Sequence, residues 1–218
     1  MIYVIPVILV ILAIGVIAGV ARRRQAQTNA PAWANAVQAL AAQLGWGYGT
    51  TDPLIEQRVH DIYRITGARR LGLGVQITGP RRGTHGLAIE LPVLQTQVAY
   101  STVAAFTVVL IPRPAPGPRL TIAPQGLTWL TAFHADVQIG DPAFDARFHV
   151  QTPDPAFARA VLHPGLTGPL AADPRLGQGV LVFDDRELAL VLPGGITQAP
   201  VAAAVDLLID VSAQVPWR

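Results

Sequence analysis

The chain runs to 218 residues with a formal net charge of +2, 14% charged and 6% aromatic side chains, and it contains neither Cys nor Lys. Without Cys there is no thiolate nucleophile, disulfide or Cys-ligated metal cluster, and without Lys there is no P-loop, kinase-type lysine or pyridoxal phosphate Schiff base. The two Ser residues, Ser101 and Ser212, lie outside any G-x-S-x-G motif, so common covalent and nucleotide-driven enzymes are largely excluded, and the small net charge argues against a nucleic-acid partner.

Met1 to Val20 carry no charged side chain, and Arg22, Arg23 and Arg24 follow at once. At about 1.5 Å per residue such a helix matches the roughly 30 Å hydrocarbon core of a bilayer, which predicts a transmembrane anchor over 1–21. Basic residues after the span and none before it predict a single-pass cell-membrane protein with its N-terminus outside and its main domain cytoplasmic. Arg22–Arg24 are the candidate contacts to lipid head groups of the bilayer. Gly15 and Gly19 form a G-x-x-x-G pair suited to close helix–helix packing, with a membrane-protein partner or in a homodimer. Gly19–Val20–Ala21 also imitates a signal-peptide cleavage site, which is the secreted alternative.

A juxtamembrane linker over 22–30 leads into a domain over 31–218. Trp33, Val37, Leu40 and Leu44 share one helical face, with Pro31 in the first turn and Gly45 as the stop. After a turn at Gly45–Tyr48, Asp52–Pro53 opens a shorter helix to about His60. Leu71, Leu73, Val75 and Ile77 alternate with small or polar residues, as do Leu87, Ile89, Leu91 and Val93. Gly79–Pro80–Arg81–Arg82–Gly83 between them predicts a hairpin with one buried face, and Pro92 marks an edge or an end. Val103 to Ile111 reads as a central strand buried on both faces.

A Pro-rich bend then leads to a short strand at Leu120–Ala123, and Pro124 opens a helical segment through Leu127, Leu130 and Phe133. Phe144, Ala146, Phe148 and Val150 alternate as a further strand, and Asp154–Pro155 starts a helix. Val180–Phe183 and Leu188–Leu192 pair across Asp184–Arg186, and a last helix spans about Gln198 to Val215, with Trp217 at its end. Asp-Pro-Ala-Phe occurs at Asp141 and again at Asp154, and both copies read as turn or helix starts. The class is α+β: an N-terminal transmembrane helix followed by one domain with a mostly antiparallel sheet flanked by helices.

Few side chains suggest chemistry. Asp145, Arg147 and His149 fall on one face of the strand read over 144–150, a polar face able to bind an anion or move a proton, though such trios commonly form the wet side of a sheet. His134 with Asp136, and Glu56 with His60, have two-ligand metal spacings, short of the three protein ligands of a catalytic zinc. His163 before Pro164 reads as a cation at a helix end, and His85 lies near a turn. Arg81 and Arg82 at the hairpin tip, with Arg69 and Arg70, form a candidate basic patch for phosphate or lipid head groups. No metal site, catalytic residue or cofactor is expected.

Trp33, Leu40 through Leu44–Gly45–Trp46, Tyr48, Gly79-x-x-Arg82–Gly83, Thr107 through Ile111–Pro112, Phe144-x-x-x-Phe148-x-Val150 and Asp154–Pro155-x-Phe157–Ala158-x-x-Val161–Leu162 together resemble an uncharacterised family of actinobacterial membrane-anchored proteins. The resemblance covers Trp33 to the C-terminus and implies an architecture without a mechanism. Leu87–Val93 departs from it in lacking aromatic residues. The function expected is a non-enzymatic, membrane-tethered cytoplasmic domain that binds or scaffolds a protein partner. The alternatives are a metal-assisted hydrolase built on Asp145, His149, His134 or Asp136, and a domain that binds a small ligand or lipid.

Overall fold

Antiparallel pairing between sequence neighbours dominates the computed structural model, which describes residues 31–51, 53–64, 69–70, 74–96, 101–127 and 136–217. Helix α1 (residues 31–44) is followed by β1 (Gly47–Thr50), α2 (Pro53–Arg64), β2 (Arg69–Arg70), β3 (Val75–Arg81), β4 (Thr84–Thr96), β5 (Ser101–Pro112) and β6 (Leu120–Pro124). Then come α3 (Pro142–Asp145), β7 (Phe148–Gln151), α4 (Pro155–Val161), α5 (Pro164–Ala172), β8 (Val180–Phe183), β9 (Glu187–Pro193) and α6 (Val201–Gln214). The strands form one sheet in the order β1-β3-β4-β5-β9-β8-β6-β7, with β2 also paired to β4, and every pairing is antiparallel. The chain divides into two units, Met1–Leu40 and Ala41–Arg218, and the sheet belongs to the second.

The β3–β4 hairpin turns through Arg82 and Gly83 alone, whose φ values of 48° and 80° place both in the left-handed region that a two-residue turn matching the strand twist requires. Gly79 and Pro80, expected in the turn, pair with Gly86 and His85 inside the ladder. Trp46 explains the two facing glycines. A Cβ at Gly79 would lie 2.4 Å from Trp46 Cδ1 and one at Gly86 2.7 Å from Cη2, while the indole N–H donates to the Pro80 carbonyl at 3.1 Å. Trp46 sits in what the sequence reads as a turn, but Gly47–Thr50 instead continues as a strand beside β3. Pro92 neither ends a strand nor marks an edge: it pairs with Ala105 of β5, at a step where neither the β3 nor the β2 ladder includes it.

Both faces of the sheet's centre are covered, because side chains alternate along each strand and helices lie on either side. One face joins Val59 and Ile62 of α2 to Ile89, Phe106, Val108 and Val191. On the other, α6 packs on β5, β9 and β4, and Val205 lies within 3.3 Å of where a Gly86 Cβ would be. The hairpin read as half-buried is therefore buried twice, and Ala88, Val109 and Leu190 are as inaccessible as their neighbours. Glu90 lies on the α6 side and accepts the Ile196 N–H at 2.8 Å, tying β4 to the loop that leads into α6.

Several expectations need correction. Among the described residues no helix is long and apolar enough to cross a membrane. The described residues accordingly form an α+β arrangement, with no transmembrane helix among them. The apolar α6 has 14 residues and reaches about 21 Å at about 1.5 Å per residue, short of the roughly 30 Å needed. The segment assigned to that span, with Gly15, Gly19 and Arg22–Arg24, lies outside the described residues, as do Leu71 and Leu73.

The strand read from Phe144 to Val150 is half helix. Asp141 caps α3 by accepting from the amides of Ala143 and Phe144 at 3.1 and 3.2 Å, with Pro142 in the first turn. Phe144 and Phe148 then stack at 4.7 Å, a four-residue spacing that suits a helical turn as well as it suits alternation. Asp154 caps α4 in the same way, so both Asp-Pro-Ala-Phe copies start helices. Pro124 closes β6 rather than opening a helix, and Leu130 and Phe133 fall outside the described residues. Helix α5, hidden in the sequence by Gly165, Gly168 and Pro169, had no counterpart in the reading above.

Gly79→Ala should lower unfolding stability by about 1–3 kcal/mol in urea titrations, because a hydrogen-bonded indole cannot retreat from the added methyl. Gly168→Ala, in α5 with nothing within 4 Å of the new Cβ, should be neutral or gain up to about 1 kcal/mol.

Candidate binding cleft and the polar clusters around it

The predicted polar face does not form as a strand face. Asp145 lies in α3, where its carboxylate accepts the amides of Ile139 and Gly140 at 3.1 Å each, closing the loop before the helix. Arg147 is exposed beyond the helix end with its guanidinium 5.8 Å from the Phe148 ring centre. His149, in β7, faces Asp136: Nδ1 lies 3.5 Å from Asp136 Oδ2, and Oδ1 of the same carboxylate accepts the Val150 amide at 2.8 Å. Among the described residues no three His, Cys, Asp or Glu side chains cluster as metal ligands. His134 and the side chains of Glu56, His60, Arg69 and Arg70 lie outside what is described.

The Arg81–Arg82 patch is neutralised by α6. Arg81 meets Asp206 through two bonds, Nε to Oδ1 at 2.8 Å and Nη2 to Oδ2 at 2.5 Å, and Arg82 Nη1 reaches Asp210 Oδ1 at 2.7 Å. Arg175 continues the chain of charges, bonding Asp210 at 2.7 Å and Asp173 at 2.6 Å. The Arg81 hydrogen bonds hold the Asp206 carboxyl below its ordinary value. Burial pushes Asp210 upward, but the bonds from Arg82 and Arg175 prevail and its carboxyl also lies low. Asp206 and Asp210 lie one helical turn apart on α6, but their partners are 125 to 128 positions away.

A second long-range pair joins Arg58 of α2 to Glu187 at the start of β9 through Nε and Nη2. Glu187 is buried and its Oε2 has no hydrogen-bond partner, so desolvation raises its carboxyl above the ordinary value despite Arg58. His163 is a cap rather than a cation at a helix C-terminus. Its Nδ1 accepts the Gly165 amide at 3.1 Å at the start of α5, and Nε2 lies 3.2 Å from the Gln214 carbonyl oxygen.

Arg113, just after β5, has a different environment. It is 8% exposed, and its guanidinium lies 5.0 Å from the Trp217 ring centre and 5.6 Å from that of Phe157. Nη1 donates to the carbonyls of Gly117 at 3.2 Å, Pro118 at 3.3 Å and Asp184. Burial lowers its pKa from the ordinary value, against weaker opposing pulls from Asp185 and Asp184. Trp217 in turn donates from its indole to the Ser212 carbonyl at 2.7 Å. Arg113 and Trp217 border a cleft of about 600 Å³ between the hairpin tip, the end of β5 and the outer side of α6, which also takes in His85, Pro112, Ile209 and Ala213. A smaller cleft of about 340 Å³ lies between α5 and α6, and one of about 380 Å³ sits beside Phe148.

No protein-family model matches this chain, and no curated protein does. Among solved structures it is similar to the crystal structure of the mycobacterial trehalose monomycolate transport factor A, TtfA, with a TM-score of 0.57 and 13% sequence identity, over 85% of this chain and 97% of that one. At that identity the likeness is one of fold.

Carboxyls held low in the folded state contribute stability that is present above the unfolded value near pH 4 and is lost as pH falls through the folded value. Asp206→Asn should therefore cost about 0.3–1 kcal/mol at neutral pH and make the loss of stability below about pH 4 shallower, as read by chemical denaturation across pH. Arg58→Met leaves the buried Glu187 carboxylate unpaired and should cost about 1–3 kcal/mol at neutral pH. Since removing Arg58 takes away a pull that lowers the Glu187 carboxyl, the deficit should shrink as pH falls and that carboxylate takes up its proton.

Proposed function

We propose that this chain is a non-enzymatic accessory protein of a lipid-transport assembly, binding or scaffolding a protein partner at a membrane. The observation that carries the proposal is the fold shared along 97% of the length of a transport factor for trehalose monomycolate. The sequence supports it independently, since a chain without Cys or Lys lacks most covalent and nucleotide-driven chemistry. Five carboxylates of the described residues support it too: Asp145, Asp141 and Asp154 are occupied with backbone amides, and Asp206 and Asp210 with arginines. Membership of the uncharacterised actinobacterial group is part of the same proposal and rests on the motif residues from Trp33 to Leu162.

The test is affinity capture of the tagged full chain from membranes of its native host, followed by mass spectrometry and by pulse labelling of envelope lipids after depletion of the chain. The expected result is one membrane protein recovered in near-stoichiometric amount and slower appearance of a labelled lipid at the cell surface. Recovery of the chain alone, together with unchanged lipid export on depletion, would overturn the reading.

A further inference from the structure

Arg113 is a buried cation whose charge the protein answers incompletely. All three of its hydrogen bonds leave from Nη1 and end on neutral carbonyls. Nε is buried without an acceptor, and no carboxylate of the described residues lies within ion-pairing distance. The neighbouring Asp184 carboxylate is 4.0 Å from Arg119 instead, and Asp185 approaches the exposed Arg186 at 3.6 Å. Guanidinium stays protonated even when desolvated, so a positive potential, partly offset by Asp184 and Asp185, persists in a largely apolar wall that also holds Thr84, His85 and Ser212. Low-dielectric walls strengthen such a field and focus it into a neighbouring cleft.

The cleft beside it fits that field. Its volume of about 600 Å³ falls within the range of small-ligand sites, and its lining contains Arg113 and His85 but no Asp or Glu. Ile209 and Ala213 of α6, with Pro112 and the Trp217 ring, supply an apolar side, and Ser212 also lines the cleft. This pairing of one cationic end with an apolar flank is absent from the smaller α5–α6 cleft, where Asp173 and Asp210 accompany Arg175.

We propose that the cleft between Trp217, α6 and the β3–β4 hairpin tip binds an amphiphile with an oxyanion head, the phosphate or carboxylate seated toward Arg113 and the apolar body lying along Ile209, Ala213 and Trp217. The site stands on its own geometry and does not depend on the partner-binding role proposed above. Charge-assisted bonds from a guanidinium to an oxyanion are the strong class of hydrogen bond, and the Arg113 hydrogen bonds to the protein all leave from Nη1, none from Nη2. Apolar contact along α6 supplies the remaining affinity, so neither the head nor the tail suffices alone.

Dodecyl phosphate below its micelle concentration is the probe, titrated into the full chain by calorimetry and by Trp fluorescence, with dodecanol and inorganic phosphate as separate arms. Saturable binding of dodecyl phosphate is expected, at least about tenfold tighter than either dodecanol or phosphate, with a fluorescence change that Trp217→Phe removes. Phosphatidylglycerol vesicles form a further arm, and a matching fluorescence change there identifies a bilayer lipid as a source of the head group. Arg113→Gln should weaken binding by about tenfold or more. Because Arg113 also bridges Trp217 and Phe157, the decisive variant is Ala213→Glu, which sets a carboxylate at the exposed mouth of the cleft without touching the core. It should leave thermal unfolding unchanged and weaken dodecyl phosphate binding by about tenfold or more. Equal affinity for dodecanol, equal affinity for inorganic phosphate, unaltered binding by Ala213→Glu, or no saturation at about millimolar probe would each overturn the proposal.

Discussion

Burial of the central strands on both faces is the constraint on which the other features rest. Strand β5 pairs with β4 on one edge and β9 on the other, and from Phe106 to Ile111 every side chain is removed from water. A sheet covered on one side only would need polar alternation along these strands, and Thr107 is the one polar residue in that run. Its hydroxyl bonds the Gly194 carbonyl at 3.0 Å, which satisfies a group that would otherwise be costly to bury. The apolar content of the chain is thus spent across two interfaces, α2 with one face and α6 with the other.

Helix α6 is held by more than apolar contact. Its buried side, including Val201, Val205, Leu208 and Val211, supplies most of the adhesion, while Asp206 and Asp210 on its flank receive Arg81, Arg82 and Arg175 from two distant segments. The left-handed turn at Arg82–Gly83 is what brings two adjacent arginines onto one helix flank. Exposed ion pairs contribute modestly to stability, so their clearer role is to register the helix along the sheet. That register sets the width of the cleft, because the same hairpin tip and the far side of the same helix are two of its walls.

This arrangement also redirects the chemistry suggested by residue types. Asp145 and Asp136, which resemble catalytic candidates in a linear reading, accept backbone amides, and Arg81 and Arg82 of the candidate basic patch are paired with Asp206 and Asp210 of α6. Among the described residues Arg113 is a buried cation with no carboxylate within ion-pairing distance, and no motif marks it.

Local signals were enough wherever a residue's conformation is decided by its neighbours in sequence. The helix stop at Gly45, the existence of the β3–β4 hairpin, the two Asp-Pro helix starts, the doubly buried β5, the β8–β9 hairpin and the last helix, α6, all follow from turn chemistry, capping and hydrophobic period. Period alone failed at Phe144–Val150, where a spacing of four suits either a helical turn or alternation, and composition concealed α5. Only the tertiary structure decided that Gly79 and Gly86 make room for Trp46, that Arg81 and Arg82 answer Asp206 and Asp210, and that Arg113 lies between Phe157 and Trp217. Those relations join residues far apart in the chain, and their energies depend on burial and distance, quantities that come into being only once the chain has packed.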